Sequence, residues 1–409
     1  MDIGSCRFEG PGKMPSAELP KVSNLDRTYT IELERWEISN RSQNANATTE
    51  GLNKAIDWAS ENGYGTVRLP AGDYLVGQKA NGAYTSGVVL PGNIHFNLDD
   101  NATIQMNAND TSHYCVIGIP DGDDVRISGG TIRGDRGMHV YAGGGTHEYG
   151  TGVCIGNSGQ SNRILIEDMV IHNTTGDGII VNDSRDYSQN ITIRNNEIYN
   201  NRRQGISIIG GVNVVVENNY IHDIEGTAPQ FGIDIESTWP DNLNRNILIR
   251  NNSFYNNRGG DYVNTSGKNV WLLDNVMDQG PGLGHVDAPI IIHTDRTGQV
   301  VRGNTVYVNS NGYAGLMNYA VRNEAAQANI IENNRFFGGG MVLQKTRGWK
   351  VTGNIVEGAR FYIEDLSCLE LNDNEVRSFN GSAPFAVYDT SGTASGNLVD
   401  GKLQQINLR

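Results

Sequence analysis

The chain has 409 residues, of which 51 are glycine and 37% are hydrophobic, and its formal net charge at pH 7 is −14. This apolar content excludes a disordered chain, and the negative charge disfavours nucleic-acid phosphates and anionic membrane surfaces as partners. No apolar run is long enough to span a membrane as a helix. The opening stretch MDIGSCRFEG lacks the basic and then apolar order of a signal peptide, which leaves export by another route, such as a virion, open.

The N-terminal region predicts a strand in TYTIELERWEI and then a helix. In ATTEGLNKAIDWASENGYG, Leu52, Ile56 and Ala59 recur at helical spacing, and a strand follows in TVRL. A helix in this place would cover the open end of a sheet and prevent pairing with other chains. We therefore predict an N-terminal extension with the first strand over residues 1–45, and one domain headed by a capping helix over residues 46–409.

Most of the remaining chain is a repeat. The segments NITIRNNEIYNN, NVVVENNYIHD and NILIRNNSFYNN share alternating apolar residues around an Asn pair, and a second strand unit begins at Gly152, Gly178, Gly205 and Gly232. Short strands of period two, separated by turn residues, predict a parallel β-solenoid in which each repeat forms one coil. We expect the Asn at the same turn of successive coils to form a structural hydrogen-bonded ladder.

The sequence predicts no cofactor. Cys6, Cys115, Cys154 and Cys368 lie far apart without metal-ligand spacing, and we expect isolated buried thiols rather than disulfides. The oxygen-rich PDGDD, which ends at Asp124, is the one stretch that resembles a calcium site. It lacks the spacing of a known cation motif, so a solvated turn is the favoured interpretation.

Candidate catalytic residues come from the stretch QFGIDIEST. Ile233 and Ile235 align with apolar residues of earlier coils, so Asp234 and Glu236 are predicted to point outward onto a solvent-facing wall. Asp177, at a corner two coils earlier, is predicted to share that wall. Glycosidic hydrolysis requires one protonated carboxyl and one ionised carboxylate. We therefore predict that Asp177, Asp234 and Glu236 are catalytic, the alternative being ordinary surface acids.

Candidate substrate-binding residues surround the same wall. The Gly-rich insertion GDRGMHVYAGGGTHEYG is long enough to fold over it, and arginines occupy the next corner. Aromatic side chains nearby are candidates for stacking on sugar rings. The alternatives are salt bridges within the loop, a salt bridge from the two arginines to Asp177 or Glu225, and ordinary packing of the aromatic side chains. The predicted binding residues are Asp135, Arg136, His139, His147, Glu148, Arg202, Arg203, Trp239 and Tyr262.

Over roughly residues 45–400, the chain resembles the pectate-lyase-like superfamily of right-handed parallel β-helices. The resemblance is carried by the capping helix, by GTVRLPAGDY and by the recurring I-x-N-N-x-I/F pattern. The insertion is similar to a loop of phage appendage and tailspike-type glycan depolymerases. The resemblance implies an all-β, right-handed parallel β-helix with an N-terminal capping α-helix. It also implies a polysaccharide substrate, an extracellular or virion-associated location and a possible homotrimer.

We expect an enzyme that degrades an extracellular or cell-surface polysaccharide by carboxylate acid/base hydrolysis. One alternative is a polysaccharide lyase or uronate C5-epimerase, and another is a non-catalytic carbohydrate-binding virion fibre or adhesin. Carboxylates outnumber candidate bases on the predicted wall, which favours hydrolysis over elimination. The superfamily's uronate hydrolases carry Gly-His-Gly where this chain has RRQGISIIGG, and its alginate epimerases carry Asp-Pro-His-Glu where this chain has GIDIES. Both departures disfavour those activities.

Overall fold

A computed structural model of the chain describes residues 6–409 except 82–83, 183–184, 240–242, 282–283, 285–286, 294–297, 310–313 and 320–326. The chain divides into two compact units. The N-terminal unit comprises Ser16–Asn244, and the C-terminal unit comprises Arg245–Arg409 together with the segment that ends at Pro15. No helix among the residues described here is both long enough and apolar enough to cross a membrane.

Over its described residues, the N-terminal unit contains one helix and twenty short strands. In chain order they are β1 (Thr28–Thr30), α1 (Ala45–Glu61), β2 (Thr66–Leu69), β3 (Gly72–Val76), β4 (Lys79–Asn81), β5 (Tyr84–Val89), β6 (Ile94–Leu98), β7 (Ala102–Met106), β8 (His113–Ile119), β9 (Asp123–Ser128), β10 (Thr131–Arg133), β11 (Tyr149–Ile155), β12 (Asn162–Glu167), β13 (Val170–His172), β14 (Ile179–Val181), β15 (Ser188–Arg194), β16 (Glu197–Tyr199), β17 (Ile206–Ile208), β18 (Gly211–Glu217), β19 (Tyr220–His222) and β20 (Phe231–Ile235).

The C-terminal unit is built of strands over its described residues. They are β21 (Asn244–Arg250), β22 (Ser253–Tyr255), β23 (Gly260–Asn264), β24 (Lys268–Leu273), β25 (Val276–Asp278), β26 (Ile290–His293), β27 (Val300–Arg302), β28 (Thr305–Tyr307), β29 (Ala314–Tyr319), β30 (Asn329–Glu332), β31 (Arg335–Phe337), β32 (Gly340–Gln344), β33 (Trp349–Thr352), β34 (Ile355–Glu357), β35 (Phe361–Glu364), β36 (Leu369–Asn372), β37 (Glu375–Arg377), β38 (Phe385–Tyr388), β39 (Gly392–Ser395), β40 (Leu398–Val399) and β41 (Lys402–Leu403).

Each unit is a parallel β-helix with three sheets. In the N-terminal unit the sheets run β1-β2-β6-β9-β12-β15-β18, β3-β7-β10-β13-β16-β19 and β4-β5-β8-β11-β14-β17-β20. In the C-terminal unit they run β21-β24-β27-β30-β33-β36-β39, β22-β25-β28-β31-β34-β37-β40-β41 and β23-β26-β29-β32-β35-β38. The pairs β4–β5 and β40–β41 are antiparallel. The predicted fold class is confirmed.

Equivalent residues of successive coils pair in register, as the repeat predicts. On β14, β17 and β20, Ile179 pairs with Ile206, and Ile206 pairs with Ile233. All three isoleucines are fully buried, because alternate residues of each strand point into the coil interior. The apolar column that the sequence predicts is therefore the core of the N-terminal unit.

Helix α1 caps this unit, as predicted. Its apolar face, which includes Leu52 and Ile56, is fully buried against the first coils. A polar contact also fixes the helix, because Asn53 Nδ2 donates to Gly87 O at 2.9 Å and Asn53 Oδ1 accepts from Val89 N at 2.9 Å. These bonds satisfy backbone groups of β5 at the end of its sheet.

The predicted Asn ladder is present, and the two residues of each Asn pair have different roles. Asn333 has φ 55° and forms the left-handed corner. The next residue, Asn334, donates from Nδ2 to Asn354 Oδ1 at 2.9 Å. The same relation joins Asn354 to Asn374 at 2.9 Å. The Asn residues are therefore architectural in these coils.

The expectation of isolated thiols is wrong. Cys115 is bonded to Cys154 in the N-terminal unit, and Cys6 is bonded to Cys368 in the C-terminal unit. The partners are 39 and 362 residues apart in sequence. Linear spacing concealed the pairs because stacked coils and a returning terminal segment bring distant residues together.

A buried acid in the C-terminal unit was not identified from the sequence. Asp261 of β23 is 1% exposed, and its Oδ1 accepts a hydrogen bond from Asn257 Nδ2 at 2.9 Å. Its Oδ2 has no hydrogen-bond partner among the described residues. Burial raises the pKa of the Asp261 carboxyl to about 7, and Asp278 contributes in the same direction.

Asn304→Ala is expected to lower the free energy of unfolding by about 3 kcal/mol, because buried donors and acceptors lose their partners. Asn304 accepts from Asn275 Nδ2 at 2.9 Å and donates to Leu272 O at 2.9 Å. Urea unfolding followed by circular dichroism measures the loss. Asn380→Ala, at an exposed position, is the control and should change stability by less than about 0.5 kcal/mol. Equal losses would contradict the structural role of the ladder.

Asp261→Asn is expected to flatten the pH dependence of stability. The folded chain keeps this carboxyl protonated up to about pH 7, whereas the unfolded chain releases the proton near its ordinary value of 3.8. The folded state therefore binds more protons in that window, and wild-type stability falls as pH rises through it, by about 4 kcal/mol in total. Urea midpoints at both ends of the window measure this slope. An unchanged slope in Asp261→Asn, with Asp57→Asn as the exposed control, would show that Asp261 is not its source.

Candidate active site

The predicted acids converge on one arginine of the N-terminal unit. Arg203 Nη1 donates to Asp177 Oδ2 at 3.1 Å, and its Nη2 donates to Glu236 Oε1 at 2.9 Å. Asp177 precedes β14, Arg203 precedes β17 and Glu236 follows β20, so consecutive coils each supply one group. The register predicts this convergence, while the catalytic role of the residues stays a prediction.

Asp234 completes the cluster. It lies on β20 in register with Ser207, whose Oγ donates to Asp177 Oδ2 at 2.7 Å. Gln204 Nε2 donates to Asp234 Oδ2 at 2.6 Å. Asp234 Oδ1 has no hydrogen-bond partner among the residues that the structure describes. Gln204 and Ser207 were not predicted as site residues. The alignment of coils nevertheless places Gln204 level with Asp177 and Ser207 level with Asp234.

The predicted solvent exposure of this wall is wrong for two of the three acids. Asp177 is 3% exposed and Asp234 is 2% exposed, whereas the Glu236 side chain is 30% exposed. The alternation correctly gave the outward direction of Asp234, since Ile233 and Ile235 on either side of it fill the core. Periodicity does not reveal what covers an outward face. Beside Asp177, the Glu148 carbonyl lies so close to Gly176 that a β-carbon at residue 176 would be 2.3 Å from it.

Burial dominates the electrostatics of the cluster. It raises the pKa of Asp234 well above its ordinary value, and the neighbouring Glu236 charge adds to the effect. Burial also raises the pKa of Asp177, against the opposing influence of Arg203. For Arg203, burial alone would lower the pKa, but the carboxylates of Asp177 and Glu236 outweigh it and raise the pKa. Of the two buried carboxyls, Asp234 is therefore the one whose pKa is raised further, which favours its protonated form.

The insertion of residues 134–149 is held by a buried polar chain. Asp135 Oδ2 and His139 Nδ1 are 2.8 Å apart, and His139 Nε2 and His147 Nδ1 are 2.9 Å apart. Tyr114 donates its hydroxyl proton to Asp135 Oδ1, and His147 Nε2 is hydrogen-bonded to the Ala142 carbonyl. Asp135, His139 and His147 are buried. The polar groups of these three predicted binding residues thus form hydrogen bonds that hold the insertion in place.

Two predicted binding arginines also hold the insertion. Arg136 Nη1 donates to Asn200 O and Oδ1, both at 2.8 Å. Arg202 Nη1 donates to Thr146 O at 2.8 Å, and its guanidinium lies over the Tyr141 ring, 4.8 Å from the ring centre. The backbone carbonyl of Glu148, by contrast, lies against Gly176, the residue before Asp177, and its side chain interacts with Tyr149.

The two predicted aromatic residues have different environments. Trp239 is 38% exposed, and the Arg185 guanidinium lies 4.5 Å from its ring centre. Tyr262 is 1% exposed and pairs in register with the buried Ile290. The prediction that Tyr262 stacks on sugar is wrong, because its side chain belongs to the core of the C-terminal unit.

No group of three or more His, Cys, Asp or Glu in the described part of the chain is arranged to hold a metal ion. The acidic stretch considered for calcium contributes instead to ion pairing. Asp124 accepts from Arg163 Nε and Nη2, both at 2.7 Å, and from the Lys21 backbone N–H at 2.7 Å.

Residues 89–306 match the family model described as right handed beta helix region, and the chain belongs to this family. Over 266 residues it is 35% identical to the uncharacterized protein YclG of Bacillus subtilis (strain 168), an alignment that covers 60% of this chain and 45% of that protein. The chain thus spans about half the length of this relative.

Two solved structures share the fold at low identity. The A-module of mannuronan C-5 epimerase AlgE6 from Azotobacter vinelandii has a TM-score of 0.64 at 16% identity, covering 93% of this chain and 100% of the module. A tailspike protein of E. coli bacteriophage HK620, in complex with a pentasaccharide, has a TM-score of 0.67 at 13% identity. This match covers 92% of this chain and 79% of the tailspike chain. At these identities the likeness shows the fold alone.

His139→Ala is expected to loosen the insertion, because it removes the link between Asp135 and His147. The His139 backbone N–H donates to Asp135 O at 2.7 Å, and its exchange with deuterium should accelerate roughly tenfold or more. Hydrogen exchange with mass spectrometry of peptides from residues 134–149 measures the change. Val140→Ala, in the same insertion and 52% exposed in the wild type, is the control. Equal exchange in the wild type and His139→Ala would contradict this role.

Proposed function

We propose that the chain cleaves glycosidic bonds of an extracellular or cell-surface polysaccharide by acid/base hydrolysis at the Asp177–Arg203–Asp234–Glu236 cluster. The observation that carries the proposal is the unequal environment of two neighbouring acids. Asp234 is buried with one oxygen unbonded among the described residues, while Glu236 is partly exposed and held by Arg203. This reaction requires two carboxyl groups in different states, one protonated and one ionised.

In the proposed reaction Asp234 is the general acid. Its pKa is raised by burial and by the Glu236 charge, which favours the protonated form that a general acid requires. Asp234 gives this proton to the glycosidic oxygen as the bond from that oxygen to the anomeric carbon breaks. Gln204 donates to Asp234 Oδ2, so the proposal assigns the proton to Oδ1, which is buried and has no hydrogen-bond partner among the described residues.

Glu236 is the proposed general base. It takes a proton from a water molecule, whose oxygen forms the new bond to the anomeric carbon. Residues two apart along a strand are separated by about 7 Å, within the range that favours inversion of configuration. Arg203 keeps the Glu236 carboxylate oriented through its Nη2. Asp177 acts as a positioning residue, because it holds the other end of the same guanidinium.

A second candidate function is carbohydrate binding without cleavage. It is favoured by the near-complete burial of Asp177 and Asp234, since structural ion-pair networks also raise carboxyl pKa values. Under this alternative the cluster stabilises the coil face, and other surface residues contact the glycan.

The polysaccharide partner and the location are parts of the same proposal. The tailspike structure named above contains a pentasaccharide, which supports a glycan ligand for this fold. Two disulfides within one chain support an oxidising, extracellular or virion-associated environment. The homotrimer stays a prediction.

Asp234→Asn is expected to abolish turnover, because the amide cannot donate an acidic proton, and to leave the melting temperature within a few degrees of wild type. The wild-type chain is first incubated with a panel of bacterial surface and plant polysaccharides while reducing ends and ultraviolet absorbance are followed. New reducing ends without an absorbing product indicate hydrolysis, and an absorbing unsaturated product indicates a lyase instead. Asp223→Asn is the control for the loss of one carboxylate, since Asp223 is a half-buried acid paired with His222. An active Asp234→Asn variant removes Asp234 from the mechanism.

A further inference from the structure

An exposed pair of stacked rings lies beside the acid cluster. Tyr149 opens β11 and pairs in register with His113 of β8. Their ring centres are 4.5 Å apart and their planes differ by 15°. Tyr149 remains 39% exposed, and His113 is exposed as well. A large aromatic surface is therefore presented to solvent at a fixed place in the fold.

Tyr149 lies one coil before Asp177 on the same sheet, because Gly176 N donates to Gly150 O at 2.8 Å and Gly152 N donates to Asp177 O at 3.1 Å. Burial raises the pKa of its phenol most, and a hydrogen bond with Glu148 acts in the same direction. The charge of Asp177 also raises this pKa, and that of Arg203 lowers it. The exposed rings thus lie on the sheet that carries the acid cluster, at the end nearest Asp177.

The ring pair is fixed before any ligand arrives. The Tyr149 backbone N–H donates to Ser112 O at 3.2 Å. His147, two residues earlier in the chain, is the last member of the buried chain that locks the insertion. His113 Nδ1 is hydrogen-bonded to Ser112 Oγ at 2.8 Å. A preformed aromatic surface loses little conformational entropy on binding, which increases its contribution to affinity.

We infer that Tyr149 and His113 form a stacking subsite for an uncharged pyranose ring of the glycan, on the same sheet as Asp234 and three strands away from it. This inference rests on the proposed function and extends it by assigning a substrate class. A pyranose ring has a face of C–H groups that packs on an aromatic surface, while its hydroxyls remain free to form hydrogen bonds.

The charge at this subsite selects against acidic sugars. The Glu148 carboxylate interacts electrostatically with both Tyr149 and His113. A carboxylate accepts hydrogen bonds from sugar hydroxyls and repels the carboxylate of a uronate. Burial lowers the pKa of His113, so its imidazole supplies no compensating positive charge at neutral pH.

The N-terminal unit offers a matched control on another sheet. Tyr220 of β19 is 40% exposed and stacks on His222, with ring centres 4.1 Å apart and planes that differ by 23°. Exposure and a histidine partner are thus common to both tyrosines. Tyr149 differs in its proximity to Asp177 and Arg203.

The test is calorimetric titration of the chain with three hexasaccharides, namely maltohexaose, N-acetylchitohexaose and hexamannuronate. We expect a neutral hexasaccharide to bind and hexamannuronate to bind at least tenfold more weakly. Tyr149→Ala should weaken the neutral ligand roughly tenfold, while Tyr149→Phe and Tyr220→Ala should stay within about twofold of wild type. On any polysaccharide that is cleaved, Tyr149→Ala should raise KM more than it lowers kcat.

The outcomes separate this inference from the proposed function. Unchanged affinity in Tyr149→Ala overturns the stacking subsite, as does tighter binding of hexamannuronate or no binding of any hexasaccharide, even if hydrolysis is observed. Tyr149-dependent binding of a neutral hexasaccharide without cleavage of any polysaccharide supports the subsite and overturns hydrolysis.

Discussion

Parallel pairing of each coil with the next, residue against equivalent residue, is the constraint on which the other features of the N-terminal unit depend. Backbone hydrogen bonds fix the strands relative to one another, and the buried isoleucine columns prevent a slip of one residue, which would turn every apolar side chain outward. Asp177, Arg203 and Asp234 are far apart in sequence but neighbours in space because of this register. A site assembled on such a frame needs little further ordering.

The acid cluster shows how a rigid frame sustains an unfavourable arrangement of charge. Buried carboxylates lose hydration, and a single guanidinium joins only Asp177 and Glu236. Asp234 is left with the Gln204 amide as its hydrogen-bonding neighbour and a raised pKa. Groups in this condition are frequent at functional sites, where a proton must be held ready at neutral pH. Packing of the surrounding coils offsets the unfavourable free energy of burying these carboxyl groups.

The insertion shows how a Gly-rich segment becomes ordered enough to contribute to a site. Gly143, Gly144 and Gly145 all have positive φ values near 85°, a backbone conformation that favours glycine. The insertion is ordered by the hydrogen bonds that join Asp135, His139 and His147, and not by strand pairing. The insertion consequently places Glu148 and Tyr149 one coil before Asp177.

The sequence by itself determined the solenoid, the capping helix, the Asn ladder and the meeting of Asp177, Asp234 and Glu236. All of these follow from local periodicity, since alternation assigns the face of each strand and a constant repeat length assigns its register. Only the tertiary structure decided the burial of Asp177 and Asp234, the two disulfides, the core position of Tyr262 and the locking role of the insertion's histidines. These features depend on which distant segment covers an outward face, and period-two alternation carries no information about that contact.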